Sequence, residues 1–355
     1  MENIAFIADQ IKLYIGIDVH KRQWNVTLLS THVHLKTFSQ RPEAEVLKLF
    51  LDKYYPEADV TCAYEACKFG FWIQRKLAGF GYHCSVVNPA DIPTSNKESN
   101  NKTDPIDSRK IAKTLRAGLL RGIHIPSETT EGDRQLFRYR KKVWSDLVKV
   151  KNRIKDKLLF AGIALPTKYD NAFWTIAFIK WLEKVKFSSA SARLTLDLLL
   201  EQYDLLFGHF KKVSIQVRKL QREQRYKSDA KLLLGIPGIG PLTTIQLLTE
   251  VEDINRFPNF KHFNSYIGIK PTTHASGEHD WRGRMTYRQH KGLRSAIIES
   301  SWMTIRKDPA MLSRYEQLLS KHTAKRAIII IARKLLSRIY FVLKNKQNYE
   351  LGIVK

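Results

Sequence analysis

The chain has 355 residues, 43% of them apolar, enough for two or three domains with cores of their own. Lysine and arginine outnumber aspartate and glutamate 60 to 34, for a net charge of +26 and a pI of about 9.9; such an excess repels itself unless a polyanion is the partner, which puts nucleic acid ahead of an acidic membrane surface. A membrane-spanning or secreted protein is not expected: the longest apolar run, "AIIIIA" at 327–332, is far short of the ~20 residues that cross a bilayer, and no basic stretch followed by an apolar one opens the chain.

The first third reads as strands followed by alternating helices and strands. "LYIGIDVH" (13–20), "WNVTLLS" (24–30) and "THVHLKTF" (31–38) form a β-rich meander. "PEAEVLKLFLDKYY" (42–55) has helical spacing at Val46, Leu49, Phe50 and Lys53. A strand over 59–66, a glycine-closed helix over 69–81, a strand over 83–89 and a helix over about 105–117 follow. The order implies a mixed sheet with helices packed on it. The cysteines are Cys62, Cys67 and Cys84; an odd number without a CxxC pair argues against a disulfide framework or a structural zinc site. Buried thiols in a reducing cytoplasm are expected.

From about 127 the texture changes. Residues 133–160 carry apolar positions Leu136, Val143, Leu147, Val150, Ile154 and Leu158, the period of a long helix. Arg138, Arg140, Lys141, Lys142, Lys149, Lys151 and Arg153 stud it and are candidate phosphate-binding residues, with a solvated helix face as the plainer reading. A short helical insertion at 166–185 and a second long polar helix over 197–228 complete this region. "LLLGIPGIGPLTTIQLLTEV" (232–251) then resembles a helix-hairpin-helix, in which Gly238 and Gly240 let backbone N–H groups approach a phosphate; an ordinary turn between helices is the alternative. A loop carrying Ser276-Gly277 and an Arg- and His-rich stretch from Arg282 to Arg294 precede the final helices. The division expected is 1–126, 127–229 and 230–355.

In "NKTDPIDSRKIA" (101–112), Asp104, Pro105 and Asp107 suit the start of a helix, where acids cap and offset the dipole. Two further acids change that reading. Asp18 ends the first strand and Glu65 a later one, and in a mixed sheet whose first and fourth strands are neighbours these carboxylates face each other. A helix crossing that sheet would add Asp104 and Asp107 from its first turn. Four converging acids repel one another unless a hard cation relieves them, and oxygen-rich sites suit Mg²⁺ or Mn²⁺. Two such ions about 4 Å apart clamp the attacking and leaving oxygens of phosphoryl transfer. An RNase H-like nuclease core has this order of strands and helices.

The ordered set "IGIDVHKRQW", "YEACKFGFWIQRKL", "NKTDPIDSRKIAKTLR", "GIPGIGPLTT", "FNSYIGIKP" and "ASGEHDWRGR…GLR" resembles the DEDD-type transposases of insertion sequences, the group that includes recombinases guided by a bridge RNA. The resemblance runs along nearly the whole chain. It implies a RuvC-like N-terminal domain with Asp18, Glu65, Asp104 and Asp107 as its tetrad, a coiled-coil-like helical linker and a mainly helical C-terminal domain. In that domain the serine nucleophile falls on Ser276. Arg282, Arg284 and Arg294 would neutralise charge on the phosphate or hold DNA backbone. The partners implied are double-stranded DNA, a guide RNA and further copies of the chain, as a dimer or tetramer, in a bacterial or archaeal cytoplasm. The sequence departs from the family at Gln289, where a glycine is expected. Two other functions are weighed: a metal-dependent nuclease in which water attacks and Ser276 is a bystander, and a non-catalytic nucleic-acid-binding protein.

Overall fold

The computed structural model describes residues 11–93, 104–171, 173–276, 279–286 and 289–352, with 271–284 described by their backbone alone. The chain divides into two compact units, Met1–Ile125 and Pro126–Lys355. The 229/230 boundary expected from sequence falls inside a helix, Gln224–Leu234.

The first unit is a five-stranded mixed sheet. Its strands are β1 (Lys12–Val19), β2 (Trp24–Leu29), β3 (His34–Gln40), β4 (Asp59–Glu65) and β5 (His83–Val87), in the order β3-β2-β1-β4-β5. β1 pairs antiparallel with β2 and parallel with β4, and β5 is parallel to β4. The first and fourth strands are thus neighbours, as the sequence suggested, and the order is consistent with an RNase H-like core. Helix α1 (Ala44–Tyr54) connects β3 to β4, α2 (Trp72–Gly79) connects β4 to β5, and α3 (Asp104–Arg116) follows β5.

Alternation along the strands sends successive side chains to opposite faces. Ile15, Ile17, Val26, Leu28, Cys62 and Tyr64 form one face and make a core with Leu47 and Leu51 of α1 and Ile73 and Leu77 of α2. The helical face expected from Val46, Leu49 and Phe50 is therefore displaced: α1 buries Ala44, Leu47 and Leu51, and Leu49 is exposed. Cys62 is buried as expected, but Cys67 is exposed, because it lies beyond β4. The opposite face carries Gly16, Thr27 and Ala63, and α3 covers it.

The second unit is helical apart from one hairpin among the described residues. Ser127 caps α4 (Glu128–Phe160) by accepting from Thr130 N, and this helix starts five residues before the stretch 133–160 expected from sequence. After α5 (Ile176–Lys184), α6 (Ala190–Leu220) runs back along it. Leu147, Val150, Ile154 and Leu158 meet Leu196, Leu200 and Tyr203, while Phe137 shares a core with Val213 and Val217, so the pair is antiparallel. The single helix expected over 197–228 is broken at 221–223, and α7 (Gln224–Leu234) is separate.

The turn 235–240 leads into α8 (Pro241–Val251). Gly238 has φ +91°, and a Cβ there would lie 2.5 Å from Thr304 Oγ1 and 2.6 Å from Ser300 O. Thr304 donates to Pro237 O at 2.8 Å, so this glycine is required by close packing on the helix α10 (Lys291–Lys307). Helix α9 (Phe260–Ile267) precedes the hairpin of β6 (Pro271–Ser276) and β7 (His279–Met285), and α11 (Pro309–Leu319) and α12 (Ala324–Asn345) end the unit. Ser276 is thus the last residue of a strand, in register with His279, instead of a loop residue. Gly277, its expected companion, lies outside the described residues.

Candidate active site

The carboxyl ends of β1 and β4 bring the acids together. Ile17 stands opposite Tyr64 on the parallel neighbours, so the next residues, Asp18, one before the end of β1, and Glu65, the last of β4, lie side by side. Asp18 shares its strand face with Gly16 and Glu65 shares its own with Ala63, which places both acids on the face that α3 covers. The helix can approach because position 16 is glycine: a Cβ would sit 2.1 Å from Ser108 O and 2.4 Å from Ala112 N. A hydroxyl chain fixes it there. Thr27 Oγ1 lies 3.0 Å from Thr37 Oγ1 and 2.9 Å from Ser108 Oγ, and Ser108 donates to Pro105 O at 3.1 Å.

On α3 the buried residues Ser108 and Ile111 continue a stripe that begins at Asp104 and Asp107, the i, i+3, i+4, i+7 spacing of one helix face. Both acids therefore sit above the sheet, one turn before the helix meets Gly16. Asp18 is about one-fifth exposed, and His20 on the turn after β1 sets its Nε2 3.1 Å from Asp18 Oδ2 and 3.6 Å from Asp104 Oδ1. One donor atom from each of the three lies within 4.8 Å of the others.

The electrostatics link Asp107 to this group. Burial pushes the Asp18 carboxyl up from its ordinary value, and the charges of Asp104 and Asp107 push it further, against the opposing effect of His20. The Cys67 thiol is likewise raised by burial and by the charges of Asp18 and Glu65. Crowded carboxylates with an imidazole beside them are a donor set for a divalent cation, whose charge would offset their mutual repulsion. Asn25, paired in register with Asp18 and buried, keeps its side-chain N–H₂ without a hydrogen-bond partner among the described residues while its carbonyl accepts from Ser39. His20 and Asn25 escaped the sequence reading. His20 had a signal, since position i+2 after a strand-end acid points to the same side; Asn25 needed the strand register.

The second unit has a different polar centre. Glu250, only 4% exposed, accepts from both Nε (2.9 Å) and Nη2 (2.8 Å) of Arg138, and it lies 3.3 Å from Arg134 and 3.2 Å from His290 Nε2. Burial alone would raise its carboxyl; hydrogen bonds from His290 and Arg138, with their charges, override that and hold it at about 2. His290 also caps α10, its Nδ1 accepting from Leu293 N, so both ring nitrogens are engaged. Gln289, the departure from the family pattern, is half-buried beside it.

The candidate nucleic-acid-binding residues divide accordingly. Arg138 belongs to the Glu250 centre, Arg140 donates to Ser214 Oγ at 2.8 Å over the Phe210 ring, and Lys141 lies over Phe137. The Lys151 ammonium sits 5.3–5.9 Å from the rings of Trp144, Trp174 and Tyr203, and burial holds it below its ordinary value. Lys149 pairs with Asp146 at 2.9 Å, while Lys142 and Arg153 are exposed. Arg294 donates to the carbonyls of Gly268 and Thr286. Gly238 is packed against α10, whereas a Cβ on Gly240 would meet open space at the start of α8. The side chains of Ser276, Arg282 and Arg284 lie outside the described residues.

Residues 15–162 match the DEDD family of IS110 type, described as a transposase, and residues 230–316 match the transposase family IS116/IS110/IS902. Together the matches span about two thirds of the chain. Similar proteins include a transposase for insertion sequence element IS1533 from Leptospira borgpetersenii, 27% identical over 72% of this chain and 74% of that protein. A putative transposase y4rJ from Sinorhizobium fredii is 25% identical over 92% and 91% of the two chains. A transposase for insertion sequence element IS1111A from Coxiella burnetii is 21% identical over 81% and 79%.

Proposed function

This chain belongs to the DEDD-type insertion-sequence transposases, and we propose that it cuts and rejoins DNA with a metal-dependent acidic tetrad and a serine nucleophile. The convergence of Asp18, His20 and Asp104 at the carboxyl edge of the sheet, with Asp107 coupled to Asp18 by charge and Glu65 ending the neighbouring strand, carries the reading. Asp18, Glu65, Asp104 and Asp107 would hold Mg²⁺ or Mn²⁺, which when bound neutralises charge on the phosphate oxygens.

Ser276 Oγ gives up its proton as it attacks the scissile phosphorus, a new P–O bond to serine forms, the P–O bond to deoxyribose breaks, and the leaving oxygen takes up a proton in exchange. Attack by a hydroxyl of the new strand reverses these steps and regenerates the serine. Each exchange replaces one phosphodiester with another, so rejoining needs no nucleotide triphosphate. Arg282, Arg284 and Arg294 would face the phosphates, the last from a site where its donors also brace the hairpin base.

The finer architecture belongs to the same reading: a RuvC-like domain over 1–126, a coiled-coil-like linker over 127–229 and a C-terminal domain over 230–355 whose 235–240 turn acts as a helix-hairpin-helix. So do a structured guide RNA, binding through the +26 chain, and assembly of two or four copies. The test is cleavage of element-end DNA with and without chelator. Asp104→Ala and Asp107→Ala are each expected to abolish cleavage at an unchanged thermal midpoint; cleavage that survives chelation and both substitutions would refute the tetrad.

A further inference from the structure

We infer that His20 is a direct ligand of the cation held by the tetrad, making this a mixed nitrogen–oxygen site that favours Mn²⁺ over Mg²⁺. The inference rests on the metal-dependent reading above and adds a residue of a different chemical kind to it.

The geometry carries it. In an octahedral sphere with bonds of ~2.1 Å, adjacent donors stand ~3.0 Å apart and opposite donors ~4.2 Å. His20 Nε2 is 3.1 Å from Asp18 Oδ2 and 3.6 Å from Asp104 Oδ1, and the three donors fit within 4.8 Å. The two His20 separations fall between those of adjacent and opposite corners of one coordination sphere. The donors also come from two independent elements: Asp18 and His20 from the end of β1 and the residue after it, Asp104 from the first turn of α3, which Thr27 and Gly16 hold in place. Half of the His20 side chain is exposed, so a cation and its waters can reach Nε2 without rearranging the core.

The chemistry sets the preference. Carboxylates and water suit Mg²⁺ and Mn²⁺ alike, but an imidazole nitrogen is a poor partner for Mg²⁺ and a good one for the later divalent metals. Replacing one oxygen corner by Nε2 therefore biases the site toward Mn²⁺. If His20 served only as a hydrogen-bond donor to Asp18, it would orient a carboxylate and leave no mark on the ion.

Pulsed electron paramagnetic resonance of Mn²⁺ added to the full chain distinguishes the two roles, because it detects a directly bonded nitrogen without any DNA or turnover. The wild type is expected to show histidine nitrogen coupling, and His20→Ala to lose it. Mn²⁺ affinity should fall by about tenfold or more, and Mg²⁺ affinity less. Circular dichroism of His20→Ala should match the wild type, since the side chain is not part of a core. Mn²⁺ bound to the wild type without nitrogen coupling, or coupling that persists in His20→Ala, would overturn the assignment while leaving the tetrad standing. Failure of Mn²⁺ to bind the wild type, or binding unchanged by Asp104→Ala, would overturn the tetrad and the assignment together.

Discussion

Ser108 Oγ lies 2.9 Å from Thr27 Oγ1, and this buried hydroxyl pair joins the helix that carries Asp104 and Asp107 to the sheet that carries Asp18. The pairing makes the spacing of the acids a property of the fold. Thr27→Val and Ser108→Ala should each cost about 1–2 kcal/mol, since each removes the buried hydroxyl pair and one part-buried hydrogen bond besides, to Thr37 or to Pro105 O, while the remaining hydroxyl keeps another partner. The double variant should cost less than the sum. Denaturant unfolding of the four proteins measures the coupling; strict additivity would mean that the two hydroxyls do not act together.

Gly16→Ala tests the close approach of α3. The added methyl would stand 2.1 Å from Ser108 O, and backbone cannot yield as a flexible side chain can. A destabilisation of about 1–3 kcal/mol is expected from overpacking. Divalent-metal affinity should fall with it, because Asp104 and Asp107 move outward while Asp18 stays. Unchanged affinity by calorimetry would show that the helix position does not govern the site.

The strand faces, and with them the placement of Asp18 and Glu65, were legible because alternation along "LYIGIDVH" and "DVTCAYEA" is strict and the turn residues are well marked. A mixed sheet with the first and fourth strands as neighbours was the arrangement considered from the element order; their parallel direction came from the structure. What escaped was of three physical kinds. The face of α1 was misplaced because Leu49 and Phe50 are apolar yet lie at the rim, while Ala44 and Leu47 take the core. The break of the long helix at 221–223 has no proline or glycine to announce it, so only the packing of α7 in the C-terminal core reveals it. The strand ending in Ser276 was hidden because it is rich in Thr and His, a polar pattern that reads as loop.

The Glu250 centre makes a pH prediction. Its carboxyl stands at about 2 in the folded chain against an ordinary 4.5. A depressed folded-state value adds stability that is fully present above the unfolded value and disappears as pH falls from about 4.5 to about 2. The shift corresponds to about 3 kcal/mol. Glu250→Gln should therefore be much less stable than wild type at pH 6, and the gap should close as pH approaches 2. A gap that stays constant across this range would mean that the ion pairs contribute nothing through titration.

Basic residues of α4 should separate by role. Lys142→Glu and Arg153→Glu, at exposed positions, are expected to weaken nucleic-acid binding regardless of sequence and leave the thermal midpoint alone. The slope of log K against log salt should become shallower by about 0.9 for each duplex phosphate no longer neutralised. Arg138→Glu should instead lower the midpoint, because it places a second carboxylate against Glu250. The reverse pattern would make the exposed face a packing surface.

Isolation of the covalent protein–DNA adduct tests the central claim most directly. Wild-type protein incubated with element-end DNA and Mg²⁺ or Mn²⁺, then denatured, should carry a DNA end on a peptide containing Ser276. Ser276→Ala should give neither adduct nor cleavage, and Asp104→Ala, with its serine intact, should also give neither. Cleavage by Ser276→Ala, with no adduct in the wild type, would contradict the account and leave a nuclease in which water attacks.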